Sequence, residues 1–334
     1  MNATIDTLPP RAPVAPPHPT HTFKLLLRRE YWEHKGGFFW APLIAGLITL
    51  VFTVLGAIGA SVFKARHANR IEMANADPDQ IARVLGGAGD AALLGGLAIT
   101  SIVLGFVVFF YALGSLYDDR KDRSVLFWKS LPVSDASTVA SKAAWALILA
   151  PIVTVAIGLL LGLALWVVTA LTTSINGLPG ASGIFTHSHP LQVIGNVIAM
   201  VPLYALWALP AVGWLMLCSA AAPSKPFLWA VMIPVLGCAL VSFSTLILGL
   251  QFDLGPLWYT VAYRGLLSVF PGTWAPKLDS VNTVHVQGPE DIGLLVNAGE
   301  NWALAGTFDL WVGALIGAAM IFAAIRLRRW RDEG

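Results

Sequence analysis

The chain has 334 residues, of which 56% are hydrophobic and 12% are charged, with a formal net charge of +2 and a mean hydropathy of +0.70. An ordinary soluble domain carries about 25% charged residues, so this deficit excludes a typical soluble protein and indicates an integral membrane protein. The net charge is too small to suggest a nucleic-acid partner, and Cys218 and Cys238 are interpreted as small buried hydrophobic residues rather than a disulfide or metal site.

The N-terminal region divides into a proline-rich part and an amphipathic part. Residues 1–21 lack the apolar core of a signal peptide and are expected to form a disordered cytoplasmic tail. Over residues 22–37, apolar side chains recur at helical spacing between charged ones, which predicts an amphipathic helix on the cytoplasmic membrane surface. Two interpretations stay open: a plain interfacial anchor, or an elbow that also contacts a partner.

Six segments are long and apolar enough to cross a membrane, which takes about 20 residues for a hydrocarbon core of roughly 30 Å. The first five contain no charged residue, and the sixth contains only Asp309. Their apolar runs are continuous, whereas barrel strands alternate, so helices fit them better. The prediction is an all-α membrane protein with a transmembrane domain over residues 38–326, a tail over 327–334, and spans at residues 38–63, 91–117, 143–171, 191–222, 227–250 and 302–325.

The distribution of lysine and arginine predicts the orientation of these spans. Of the 21 basic residues, 15 fall in the N-terminal region, the second and fourth loops and the C-terminal tail, against 6 in the alternate loops. Because cytoplasmic loops carry the excess of positive charge, both termini and the second loop are expected in the cytoplasm. The expected location is the bacterial inner membrane.

The second loop, Asp118–Lys142, is the densest charge cluster of the chain. Asp122 is placed to cap a short apolar helix over Val125–Trp128, and Pro132 disfavours helix at the residue before it. Ser134 is placed to cap the following helix, with Asp135 in its first turn. From the residues alone, this loop is either a docking segment for a partner or a well-capped connection.

A second apolar segment, Gly255–Gly272, lies between the fifth and sixth spans. It contains Trp258, Tyr259, Tyr263 and Arg264, and prolines stand near its ends. It is too short and too interrupted to cross a membrane, so re-entrant or interfacial external helices are expected.

The sequence carries none of the catalytic motifs sought. It has no phosphate-binding Gly-x4-Gly-Lys-[Ser/Thr], no His-Glu-x-x-His and no Gly-x-Ser-x-Gly. His187 and His189 stand without nearby ligands, and a metal site needs three or four. The spans also lack the ionisable residues that ion-driven carriers keep in the bilayer. If the protein moves something, the energy is therefore expected to come from outside the spans.

The chain resembles the type-2 ABC transporter permeases, the membrane subunits of exporters whose ATPase is a separate chain. The resemblance covers roughly Thr22 to the C-terminal tail and rests on the amphipathic segment, the six-span layout and the second loop. The loop departs from the family pattern at Arg123-Ser124, where the family has Gly-Thr. The matching loop residues are Asp118/Asp119, Arg120/Lys121, Val125–Trp128, Leu131-Pro132-Val133-Ser134 and Lys142.

The resemblance implies a permease subunit without catalytic residues, whose partner binds ATP and Mg²⁺ and is a cytosolic ABC ATPase. A second permease copy, identical or not, would complete the pathway among membrane lipids. The alternative is a non-transporting scaffold that docks a partner through the same loop. The implied coupling residues are Asp118, Asp119, Arg120, Lys121, Asp122, Val125, Leu126, Phe127, Trp128, Leu131, Pro132 and Ser134. A second cytoplasmic contact would use Lys24, Arg28, Arg29, Glu30 and Glu33.

Overall fold

The computed structural model describes residues 19–66, 77–122, 133–249, 251–278, 293 and 296–331. Every regular element in these residues is helical. The helices are α1 (Pro19–Lys35), α2 (Ala41–Arg66), α3 (Pro78–Gly114), α4 (Tyr117–Lys121), α5 (Asp135–Ala144), α6 (Ala150–Ile175), α7 (Gly183–Thr186), α8 (Pro190–Ala221), α9 (Ile233–Ile247), α10 (Gly255–Trp258), α11 (Ala275–Leu278), α12 (Ala298–Trp302) and α13 (Phe308–Arg331).

Six helical runs of the described chain are long and apolar enough to cross a membrane, which confirms the all-helical six-span prediction. In the first three spans, shorter helices continue directly into the span, so that these three runs extend beyond the apolar segments read from the sequence. The runs are Thr22–Arg66, Asp79–Lys121, Asp135–Ile175, Pro190–Ala221, Leu228–Ile247 and Phe308–Trp330.

The starts of the second and sixth spans differ from the sequence-based prediction. The second span begins at Pro78 rather than at residue 91, because Pro78 suits the first helical position and the Asp77 side chain accepts a hydrogen bond from the Asp79 N–H. The sixth begins at Phe308 rather than at residue 302, because α12 and a separate 3₁₀ turn (Ala303–Gly306) precede it.

The predicted helix over residues 22–37 is present as α1, but it is continuous with the first span. His34 departs from helical geometry (φ −115°, ψ 16°) and marks a kink near its end. The combined run of 45 residues would extend for about 65 Å, roughly twice the hydrocarbon thickness, so part of it must lie outside the hydrocarbon. Its position on the membrane surface stays a prediction.

A π-turn interrupts the helix at the start of the first, third and fifth spans. The turns are Gly36–Trp40, Trp145–Leu149 and Leu228–Met232, and each is followed by a proline at the second position of the next helix. A proline has no N–H, so it leaves the carbonyl four residues earlier without its usual donor. In the fifth span, Pro234 leaves the Ala230 carbonyl without this backbone donor. The indole N–H of Trp214 in α8 donates to the carbonyl instead, at 3.0 Å.

Glycines allow the long helices to approach to backbone contact. A Cβ atom on Gly96 of α3 would lie 2.6 Å from the backbone nitrogen of Gly162 in α6, and one on Gly213 of α8 would lie 2.4 Å from the Gly317 oxygen in α13. Small residues at such crossings let helices pack closely in a membrane, where hydrophobic burial gives no driving force. These two crossings join α3 to α6 and α8 to α13.

Replacing Gly96 with valine is expected to destabilise the bundle by about 3 kcal/mol, because the added side chain meets the α6 backbone rather than a flexible side chain. Gly95→Val is the matched control, since a Cβ at the neighbouring glycine meets nothing within 4 Å. The comparison is made by thermal unfolding in detergent, monitored by size-exclusion chromatography. Equal unfolding temperatures for the two variants would contradict the assigned crossing.

Candidate functional site

Five charged side chains meet at one end of the bundle, called here the charged end. They are Glu30, Asp119, Asp135, Lys142 and Arg328, and we refer to them as the ion-pair cluster. They come from α1, α4, α5 and α13, which are far apart in sequence. The cluster therefore holds the amphipathic helix, both ends of the second loop and the last span in one place.

Lys142 lies at the centre of the ion-pair cluster and is 1% exposed. Its Nζ atom lies 3.1 Å from Glu30 Oε1 and 3.5 Å from Asp119 Oδ1. The Tyr111 hydroxyl of α3 donates to Glu30 Oε2 at 2.8 Å, so the buried Glu30 carboxylate has a partner on each oxygen. An ammonium group buried in this way needs paired carboxylates, which Glu30 and Asp119 supply.

Arg328 extends the ion-pair cluster to the last span. One guanidinium nitrogen lies 3.2 Å from Asp119 Oδ2, and its Nε atom lies 3.2 Å from Asp135 Oδ1. Asp119 is thus shared between Lys142 and Arg328. Because the guanidinium keeps its charge and has donors in a fixed fork, it suits this bridge between two carboxylates.

Two further contacts fix the elements around the ion-pair cluster. The indole N–H of Trp145 donates to the Leu27 carbonyl at 2.7 Å, and its ring stacks on Tyr31, which joins α1 to the third span. At the start of the second loop, the Ser219 hydroxyl of α8 accepts from the backbone N–H groups of Leu116 and Tyr117 at 3.0 and 2.9 Å. The loop therefore starts from a fixed position.

Arg120 adds a third link between the loop and α8. One guanidinium nitrogen donates to the backbone carbonyls of Ser219 at 2.6 Å and Ala222 at 3.1 Å. The Ser219 carbonyl is among the last of α8 and the Ala222 carbonyl directly follows the helix, and the last carbonyls of a helix have no partner within it. A cation at this position satisfies them and complements the negative end of the helix dipole.

The residues implied for partner contacts fall into three groups. Glu30 and Asp119 are buried in the ion-pair cluster, and Arg29 and Arg120 are partly buried, so these four face the protein interior more than the surface. The remaining described residues are exposed: Lys24, Arg28, Glu33, Asp118, Lys121, Asp122 and Ser134. The last group, Val125, Leu126, Phe127, Trp128, Leu131 and Pro132, lies outside the described residues.

The predicted cap at Ser134 is confirmed where the second loop leads into α5. The Ser134 hydroxyl accepts from the Ser137 N–H at 3.1 Å, and Asp135 lies in the first turn of α5. Asp122 occupies the C-terminal end of α4, and the short helix predicted after it lies outside the described residues. The described chain therefore ends at α4 on one side of residues 123–132 and resumes just before α5 on the other.

Among the described residues, Glu30, Glu33 and His34 are the one group of three whose ligand atoms come close enough for a metal ion. Glu30 is already bound by Lys142 and Tyr111, and Glu33 Oε1 accepts from Arg29 Nε at 2.6 Å. These contacts occupy the carboxylates, so we assign no metal to the group. His187 and His189 lie apart from it, where the His189 backbone N–H donates to Asp90 at 2.9 Å.

The four residues named in the segment Gly255–Gly272 lie at the opposite end of the bundle, called here the far end. Arg264 is buried, and its guanidinium carbon lies 3.8 Å from the centre of the Trp207 ring. The Tyr259 hydroxyl donates to Asp309 at 2.5 Å, and Tyr263 donates to the Thr273 carbonyl. Trp258 donates to the Ser242 hydroxyl at 2.9 Å.

The segment Gly255–Gly272 turns back into the bundle. The Tyr204 hydroxyl donates to the Val269 carbonyl at 2.8 Å, and both residues are buried. Phe270 lies so close to Gly105 of α3 that a Cβ atom there would be 2.1 Å from its ring. Burial, with the nearby Asp309 carboxylate, raises the pKa of Tyr259, so its hydroxyl stays protonated and can donate.

Sequence reasoning missed three members of these sites. Arg328 is one of several basic residues near the C-terminus, Tyr111 lies inside an apolar span, and Asp90 lies outside the predicted span. A lone polar residue in an apolar run signals a buried partner, which would have drawn attention to Tyr111. No comparable signal distinguishes Arg328 from the basic residues around it.

No protein-family model matches the chain, and no curated protein or solved structure matches it.

Proposed function

We propose that the chain is the membrane subunit of an ATP-driven exporter that takes its energy from a separate cytosolic ATPase. The ion-pair cluster is the observation that carries this proposal. It joins α1, the second loop and the last span through buried contacts at one end of the bundle. A force applied to the second loop would therefore reach three elements at once, as energy input from a docked partner requires.

In this proposal the charged end faces the cytoplasm of a bacterial inner membrane. The excess of lysine and arginine at that end supports the orientation. The exposed Asp118, Lys121, Asp122 and Ser134 flank residues 123–132, which would dock into the ATPase. The buried Glu30 and Asp119 act as the frame that holds this docking surface, and the partner contacts the exposed residues.

Exposure also separates the α1 residues that would form the second contact with the ATPase from those that are buried. Lys24, Arg28 and Glu33 are exposed on α1 and would contact the ATPase, whereas Glu30 fixes α1 to Lys142. ATP and Mg²⁺ would be bound by the partner, because the sequence has no phosphate-binding loop. A second permease copy would complete the pathway, and the segment Gly255–Gly272 would form the external re-entrant helices.

Affinity purification tests this assignment. When the chain is expressed with the genes that adjoin its own and extracted in mild detergent, an ABC ATPase is expected to co-purify and to hydrolyse ATP. ATP-dependent flux in membrane vesicles then separates an exporter from a scaffold that uses the same loop for docking. Absence of any bound ATPase would overturn the proposal.

A further inference from the structure

A slot of about 330 Å³ lies between α8, α9, the turn Tyr259–Arg264 and α13. Its α13 wall consists of Asp309, Val312, Gly313, Ile316 and Met320. These positions are three or four residues apart and so share one face of the helix. At 1.5 Å per residue the wall runs for about 16 Å along the helix axis, which gives the slot an elongated shape.

A pair of opposite charges, Asp309 and Arg264, lies at the end of the slot that is nearest to the far end of the bundle. Asp309 Oδ2 accepts from the Tyr259 hydroxyl, and Oδ1 has no hydrogen bond from the described residues. Arg264 Nε lies 3.9 Å from Asp309 Oδ2, which is beyond hydrogen-bond distance. The guanidinium donates to the backbone carbonyls of Trp207 and Asp309, and other N–H groups remain.

The rest of the slot is apolar. Beyond Gly313 the walls are formed by Pro210 and Trp214 of α8, Pro234 of α9, and Ile316 and Met320 of α13. These helices belong to three of the six apolar runs. Ile316 in its wall is 47% exposed, so the slot opens on the surface of the bundle. The bilayer core that surrounds such a surface holds no water, so an apolar chain is the suitable occupant. The volume lies within the range of small-ligand sites, about 300–1,000 Å³.

We propose that this slot binds one acyl chain of a phospholipid with a zwitterionic, amine-bearing headgroup. The acyl chain lies along α13, and the headgroup lies at the far end. The ammonium group donates to Asp309 Oδ1, and the phosphate accepts from the free N–H groups of Arg264. The loose contact between Asp309 and Arg264 leaves each charge available to its own partner in the headgroup. The site does not depend on the exporter function proposed above.

The test uses the full-length protein in lipid nanodiscs and a phosphatidylethanolamine with a photoreactive diazirine in its acyl chain. Irradiation is expected to label the slot-wall residues of α13, which are Val312, Gly313, Ile316 and Met320. Phosphatidylglycerol with the same chain lacks the ammonium and is expected to label them about tenfold less, because a hydrogen bond to a charged group is lost. Equal labelling by the two lipids would overturn the headgroup assignment.

Two variants and one control variant of the protein test where the lipid is bound. Ile316→Trp fills the slot and is expected to abolish labelling of the other wall residues of α13, Val312, Gly313 and Met320. Leu315→Trp is the matched control, since Leu315 is 69% exposed on the outer surface and is not part of the slot wall. Asp309→Asn keeps the side-chain shape and is expected to remove the preference for phosphatidylethanolamine. Labelling that survives Ile316→Trp at the level of Leu315→Trp would show only lipid around the outside and would overturn the site.

Discussion

Replacing Lys142 with methionine is expected to destabilise the protein by about 3–5 kcal/mol, which is the usual cost of removing one partner from a buried ion pair. Methionine fits the space of the lysine stem but leaves the Glu30 carboxylate buried, with the Tyr111 hydroxyl as its remaining donor among the described residues. Asp119 keeps its contact with Arg328. The free-energy loss is measured as a lower unfolding temperature in detergent, followed by size-exclusion chromatography.

Two variants control this experiment. Lys121→Met removes an exposed lysine from the same end of the bundle and is expected to change stability little. The double variant Glu30→Gln/Lys142→Met removes both charges of the pair, and it is expected to regain much of the lost stability because no uncompensated carboxylate remains at Glu30. An unfolding temperature for Lys142→Met equal to that of Lys121→Met would contradict the structural role of the ion-pair cluster.

The double substitution Phe127→Asp/Trp128→Asp is expected to separate ATP hydrolysis from movement of the membrane domain. Both residues belong to the apolar part of the second loop that would enter the ATPase. Charge at such a contact is costly to desolvate, and loss of two aromatic anchors is expected to weaken the contact at least about tenfold. The spans are unchanged, so the protein should still insert into the membrane.

The readout is a fluorescent label at the far end. Gly299→Cys places a thiol at an exposed position, whereas the native Cys218 and Cys238 are buried and should not react. ATP is expected to change the fluorescence of the parent complex but not that of the double variant. Ser124→Asp/Ser130→Asp adds the same charge at polar positions of the loop and should respond like the parent. A normal ATP response in the aromatic double variant would argue against a coupling role for this loop.

The six spans could be predicted because length and the absence of charge are properties of each segment by itself. The ion-pair cluster could not, because it depends on which helix faces meet. Glu30 and Asp119 stand among other charged residues and resemble surface positions in the sequence. Only the approach of α5 and α13 shows that they are buried against Lys142 and Arg328. Spacing along one helix does not reveal which neighbour covers it.

The boundary of the second span shows the same limitation. The predicted start at residue 91 directly follows Asp90, because an isolated carboxylate is costly in an apolar helix. In the structure the backbone N–H of His189 donates to this carboxylate, which is 2% exposed. The partner comes from a residue almost a hundred positions later in the chain, so no local pattern could announce it.

The π-turns are positions at which the long helices of the bundle can bend. A helix that lacks a regular hydrogen bond beside a proline bends more readily there than elsewhere. The π-turns of the first and third spans are in direct contact, because the Phe38 ring stacks on the Trp145 ring with the ring centres 5.0 Å apart. The ion-pair cluster lies on the N-terminal side of both π-turns, where Glu30 and Lys142 join α1 to α5. Because the cluster also binds α4 and α13, bending at these two π-turns would move α1 and α5 only together with those elements.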